Sequence, residues 1–242
     1  MSDPIWLDRR FQGPTGSGQG GWTAHLLAER IDHPVTMAIK APVPLETELD
    51  VMHDVQNERW LLVDHSGEHA QTVMVAEPWE ATFADTEPVS IERAREARGR
   101  HGTLFDEHPV PFCFSCGLQH DSMRVHAGPL ADDPQGRFAT DWTPPAWAVR
   151  SDGTVDPGTV WAAIDCTAAF YVCHSRETRT ALTVQYAVDQ LQPLDPETTY
   201  ALVGWSGDHS TEWDGRKRHG ASAAFAPDGT CVARSVSFWL SA

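Results

Sequence analysis

Apolar and polar positions along the chain run through two similar cycles, each passing from a glycine- and proline-rich opening through a helical run into segments of period two. In the first cycle, residues 13–21 form a flexible, turn-rich stretch, and Trp22, Leu26 and Leu27 then share one stripe of a helix over Trp22–Ile31. Val35, Met37, Ile39 and Ala41 alternate in one strand, and Leu49, Val51, His53 and Val55 in the next. Trp60–Asp64 and Gln71–Ala76 add strands around the turn Asp64-His65-Ser66-Gly67.

The second cycle repeats this order. Asp156-Pro157-Gly158 leads into a helical run over Thr159–Val172. Leu182, Val184, Tyr186 and Val188 alternate, followed by Tyr200–Trp205 and His219–Phe225. A turn at Pro227-Asp228-Gly229 precedes a last strand over Cys231–Leu240. Trp22 echoes Trp161, Pro44-Leu45 echoes Pro193-Leu194, and Gly67 echoes Gly229, at offsets of 139, 149 and 162 residues. That drift places loop growth mostly in the second copy. Between the cycles, residues 88–102 carry Glu92, Arg93, Arg95, Glu96 and Arg98, with Ile91 the only bulky apolar residue. This predicts a solvent-exposed linker helix ending near Gly99. The expected architecture is α+β: a helix wrapped by a curved antiparallel sheet, made twice. Its first half spans 1–85, a linker with a short helix 86–108, and its second half 109–242.

The second helical run is apolar nearly all round, from Val160 to Val172, which marks a helix enclosed by its sheet. Asp165 is its only charged residue. Even an uncharged polar group costs roughly 2–7 kcal/mol to bury without partners, so such a carboxylate has a structural partner, a place at a solvent edge, or a chemical task.

The two helix starts differ. Asp156 at the N-cap with Pro157 at the first helical position plugs the second helix with its own carboxylate. The first helix opens on Gln19-Gly20-Gly21, with no Asp or Glu within six residues upstream. Its glycines permit close approach, and its uncapped amides suit an anion or an oxyanion. One half therefore offers donors without an acid, the other an acid without donors.

Composition narrows the function. The formal charge of −16 opposes a nucleic-acid partner or an anionic membrane surface, though not an anionic ligand met by a local basic cluster. The densest such cluster is Arg216-Lys217-Arg218-His219. With no apolar leader at the N-terminus and no apolar stretch of about 18 residues, a soluble, unexported protein is expected. Five scattered cysteines fit free thiols in a reducing cytoplasm. Cys113-x-x-Cys116 could hold zinc with His108, His120 or His126, but a single such pair without a second reads first as small buried residues at a strand start. Cys166 and Cys173 read as helix packing, and His25 as a partly buried helix residue.

The spacing of a Gly-Gly or Pro-Gly pair ahead of a helical acid resembles hotdog-fold thioesterases, including the phenylacetate-pathway type. Gly158 and Asp165 have that spacing of seven. From Gly21 the matching position is Ala28, with Glu29 one place out of register. Cys113-Phe-Ser-Cys116-Gly117, continuing to Met123-Arg124-Val125, and Asp214-Gly215-Arg216-Lys217 resemble further motifs of that group. Ser122 departs from it, since many relatives carry glycine there. The phrase from Phe11 to Trp22 is similar to thioesterase-like double-hotdog proteins of actinobacteria.

The resemblance implies a site between two hotdog units, with no cofactor beyond coenzyme A carried by the substrate and a monomer or a homodimer as the working form. Gly20 or Gly21 would hold the thioester oxygen and Asp165 would act as general base or nucleophile. Gln19 would stand beside the oxyanion donor, and Thr167 would orient water or Asp165. Trp22 and Trp161 would line the acyl pocket, and Arg216, Lys217 and Arg218 would meet the nucleotide. No metal is expected. Two other functions remain open: a hydratase or dehydratase of enoyl or hydroxyacyl thioesters, for which His174 is poorly phased, and a non-catalytic acyl-binding protein.

Overall fold

The computed structural model describes residues 3–79, 81–104, 107–119, 121–174, 180–207 and 215–241. Strand β1 (Ile5–Trp6) precedes helix α1 (Gly20–Ala28), and strands β2 (Val35–Ile39), β3 (Glu48–Asp54), β4 (Arg59–Asp64) and β5 (Gln71–Pro78) follow. Helix α2 (Ile91–Gly99) and a short β6 (Gly128–Pro129) lead to β7 (Phe138–Trp142) and helix α3 (Pro157–His174). The chain closes with β8 (Ala181–Gln190), β9 (Tyr200–Trp205), β10 (Lys217–Phe225) and β11 (Cys231–Ser241).

The eleven strands among the described residues form one antiparallel sheet in the order β1-β3-β4-β5-β2-β8-β11-β10-β9-β7-β6. A strand, a helix and four strands recur twice, and the two series meet where Met37 and Ala38 of β2 pair with Tyr186 and Gln185 of β8. Helices α1 and α3 share one continuous core with this sheet, and strands bury alternate residues against them, as Val35 and Met37 of β2 do. The helices run in opposite directions: Gly21 of α1 abuts the Trp161 carbonyl, and Gly158 of α3 abuts the Trp22 ring. A Cβ at Gly21 would lie 2.6 Å from Trp161 O, which is why only glycine fits.

Helix α2 is not the exposed linker its charges predict. Ala94 and Ala97 are fully buried against the outer face of the sheet, with Ala139, Ala201, Val203 and Phe225 beneath them. Two alanines three positions apart make a flat face, while Arg95 and Arg98 reach Asp141 of β7 at 3.1 and 3.4 Å. This cover explains why every residue of β9 is buried. The strands β1, β6 and β7 were not expected; the first two are two-residue edge pieces, too short for a period to register. Among the described residues no helix is long and apolar enough to cross a membrane.

Candidate active site

Residues 13–19 carry the glycines expected to loosen them, yet the segment is tied down. Gly13 N donates to Ser17 O and Gly18 N to Val43 O, both at 2.8 Å, while Ser17 Oγ accepts from Val43 N at 3.0 Å. Gln19 then enters α1 as its N-cap in an extended conformation, and its Oε1 accepts from Trp22 N at 2.7 Å. Its amide group is thereby fixed, and Nε2 points at α3.

Asp165 receives it. Gln19 Nε2 donates to Oδ2 at 2.6 Å, Gly21 N donates to the same oxygen at 3.2 Å, and Thr183 Oγ1 of β8 donates to Oδ1 at 3.0 Å. The carboxyl is buried, with the residue 4% exposed. Burial pushes it up to about 7, against the opposing pull of the Thr183, Gly21 and Gln19 bonds. Desolvation, reinforced by the charge of the neighbouring Cys113, therefore outweighs three hydrogen bonds, and the group titrates where a general acid or base works.

The sequence places the amides of Gly20 and Gly21 together as donors, and the structure divides them. Gly21 N–H is spent on Asp165, whereas Gly20 N–H has no acceptor among the described residues. A Cβ at Gly20 would stand 3.1 Å from Ile39 Cδ1 and 3.5 Å from Asp165 Oδ2, so its absence keeps the space beside the acid open. That space belongs to a cavity of about 350 Å³. Ile39, Val43, Val110, Phe170, Leu182 and Trp239 give it apolar walls, and Lys40 is the only cation among the described residues that line it.

Several expected site residues lie elsewhere. Thr167 is buried and its Oγ1 donates to Ala163 O at 2.8 Å, a back-bond along its own helix, so Thr183 is the hydroxyl that reaches Asp165. Trp22 stacks on Phe11 with centroids 4.0 Å apart, and Trp161 packs against His25 and Tyr186; neither lines the cavity. Arg216 donates to Ser241 O at 2.6 Å, Lys217 lies over the Phe238 ring, and the buried Arg218 donates to Val172 O at 3.1 Å. This run fastens β10 and is absent from the cavity wall. His174 packs edge-on to Phe138, also away from the cavity. His120 and Asp214 lie outside the described residues.

Cys113 and Cys116 sit in a buried turn rather than at a strand start, with Gly117 N donating to Cys113 O at 2.7 Å. The turn packs across both helices: Phe114 stands edge-on to Trp22 of α1, and Ser115 Oγ donates to Ala162 O of α3. Of the candidate zinc histidines, His126 faces the Cys116 and Gly117 carbonyls and His108 packs near Phe170. Cys166, expected as simple packing, meets the turn instead, 3.8 Å from Cys113 Sγ.

The opposite crossing, where α3 begins, is closed. Asp156 Oδ1 accepts from Gly158 N at 2.8 Å, and Trp22 and His25 fill the space in front of Gly158. Glu29 accepts from Arg150 at 2.9 Å and lies 3.3 Å from His25 Nε2. The nearby His25 ring, aided by Arg150, holds its carboxyl down at about 2 despite partial burial.

No protein-family model and no curated protein matches the chain. Among solved structures, it is similar to a candidate thioesterase II of Thermobifida fusca YX, at 15% identity and a TM-score of 0.61, over 99% of this chain and 91% of that one. A candidate thioesterase of Novosphingobium aromaticivorans DSM 12444 matches at 13% identity and 0.58, over 99% and 94%. A tesB protein of Mycobacterium avium subspecies paratuberculosis matches at 11% and 0.58, over 98% and 91%. At such identities the likeness is one of fold: the large antiparallel sheet with few helices is the hotdog type of these proteins.

Proposed function

We propose that this chain is a tandem hotdog thioesterase that hydrolyses an acyl thioester of the coenzyme A type at one site between its halves. The halves are 1–85 and 109–242, joined by a segment, 86–108, that docks on the second. The observation that carries the reading is the meeting of a buried Asp165 with the amide-capped start of α1 in the wall of an apolar cavity. The likeness of fold to proteins described as thioesterases supports it.

In this reading the acyl chain lies along Ile39, Val43, Val110 and Phe170, and the thioester oxygen faces Gly20 N–H at the positive end of α1. Asp165 Oδ1, with Thr183 as its single donor among the described residues, keeps a lone pair for water, while Gln19 and Gly21 fix Oδ2. Water attacks the carbonyl carbon as its proton passes to Asp165. Collapse of the tetrahedral intermediate breaks the carbon–sulfur bond, and the leaving thiolate takes that proton back. Direct attack by the carboxylate, with an anhydride then hydrolysed, uses the same atoms. Lys40, the one cation among the described lining residues, takes the part first expected of Arg216, Lys217 and Arg218.

A hydratase of this fold would use a histidine beside the acid, and no histidine stands among the described residues that line the cavity. A purely structural Asp165 would leave the space beside it filled, and the space is open. The test is hydrolysis of a panel of acyl-CoA substrates by wild type and Asp165→Ala. Turnover lost in the variant, with the near-ultraviolet circular dichroism retained, is the expected result. A wild type inert towards every member overturns the reading.

A further inference from the structure

Three thiols in the cavity wall have no task in that reaction. Cys113 and Cys116 come from the turn after Val110, and Cys166 follows Asp165 on α3. All three are buried, free of disulfides and in contact with the cavity. Their sulfurs lie within 4.8 Å of one another, and two of them stand 3.8 Å apart. Thiolates held ~2.3 Å from a tetrahedral zinc ion stand roughly 3.8 Å apart, so one edge of such a coordination shell is already present. The turn is held against α3 by Ser115 Oγ on the Ala162 carbonyl, which fixes the pair relative to Cys166.

We propose that Cys113, Cys116 and Cys166 form a site for one thiophilic divalent cation of the zinc type, with its fourth position turned towards the cavity. Sulfur donors favour such an ion over magnesium or calcium, which take oxygen ligands. Three sulfur–metal bonds form as three S–H bonds break, the protons leave to solvent, and no electron is transferred. Gln19 Nε2 lies 3.7 Å from Cys166 Sγ and 2.6 Å from Asp165 Oδ2, so one amide orients both a ligand sulfur and the acid. The site does not depend on the hydrolase reading, because its test reads binding rather than turnover.

The probe is Co²⁺, added to the reduced, chelator-treated full chain. Wild type should develop a thiolate-to-cobalt charge-transfer band that saturates at one equivalent and disappears when Zn²⁺ is added. Cys231→Ser, remote from the cluster, should keep the band, and Cys113→Ser and Cys166→Ser should lose it. A wild type without the band, or a band equally strong in both of those variants, overturns the site. Should those variants unfold, proton release by wild type on Zn²⁺ addition decides: two or more protons per ion bound supports the site, and fewer overturns it.

Discussion

Where α1 begins, an uncharged amide caps the helix and an acid arrives from α3; where α3 begins, the cap is itself an acid and α1 answers with a second one. Both crossings depend on a glycine that lets the helices touch, Gly21 in one and Gly158 in the other. Their electrostatics are opposite. Asp156 occupies the positive end of α3, and Glu29 is drawn down to about 2 by His25 and Arg150. Gln19 leaves the end of α1 without a charge, and Asp165, with hydrogen bonds but no cation, rises to about 7. Cations make a carboxylate inert, whereas burial among neutral donors makes it reactive.

The sharpest way to break this comparison is to neutralise each acid in turn. Asp165→Asn should lower kcat/KM for acyl-CoA hydrolysis by at least ~10³-fold, about 4 kcal/mol of barrier. Glu29→Gln should stay within ~2-fold of wild type, since the residue is not among those lining the Asp165 cavity. Comparable losses in both variants would mean that the α3 crossing is a second site.

Stability against pH should separate the two acids next, in protein freed of metal by chelation. The folded pKa of Asp165 is raised from 3.8 to about 7, so the folded state holds the extra proton. Its contribution is full below about 3.8 and is lost as pH rises through 7, roughly 4 kcal/mol in all. Glu29 is the reverse: lowered from 4.5 to about 2, it stabilises above 4.5 and the gain disappears as pH falls towards 2. Denaturant midpoints measured from pH 3 to pH 8 should therefore flatten between about 4 and 7 in Asp165→Asn, and only at the acid end in Glu29→Gln. Unaltered profiles in both variants would refute the assignment.

The glycines should differ in how far their neighbours can yield. A methyl at Gly21 meets the Trp161 carbonyl at 2.6 Å, which is backbone and fixed in α3. At Gly158 it meets the His25 and Trp22 rings at 2.7–2.9 Å, which are side chains. Overpacking costs about 1–3 kcal/mol, and alanine returns up to ~1 kcal/mol of helix propensity. Gly21→Ala should thus lose about 2 kcal/mol in urea unfolding, and Gly158→Ala less than about 1.

Much of this contrast is legible in the sequence. The apolar run around Asp165, the proline and acid before α3 and the bare glycines before α1 all carry local patterns, as do the longer strands. Thr183 is not legible, for a specific reason. Alternation of Leu182, Val184 and Tyr186 puts Thr183 on the outer face, but the β8–β11 pairing slips between Thr183 and Gln185. That bulge reverses the phase, so Ala181 is buried, Leu182 is 45% exposed and Thr183 reaches the acid. The meeting of Cys113 with Cys166, 53 residues apart, has no local pattern. The Arg216–Arg218 run misled because charge density says nothing of which carbonyl each cation finds first. Trp22 and Trp161 misled because aromatic size serves a helix crossing as well as a pocket.

The caps give the smallest effect and the finest discrimination. Gln19 and Asp156 each satisfy one helix amide, at 2.7 and 2.8 Å, and losing such a bond costs about 1 kcal/mol. Gln19→Leu and Asp156→Ala should therefore lower stability by similar amounts in the same urea titration. Only Gln19 also holds Asp165, so Gln19→Leu should lose a further ~10- to 100-fold in kcat, with KM changed far less. If Asp156→Ala slows turnover as much, the cap acts through helix packing alone and the amide of Gln19 has no special hold on the acid. If Gln19→Leu is slow while Asp156→Ala is merely less stable, the two ends share a fold and differ in chemistry by one side chain's charge.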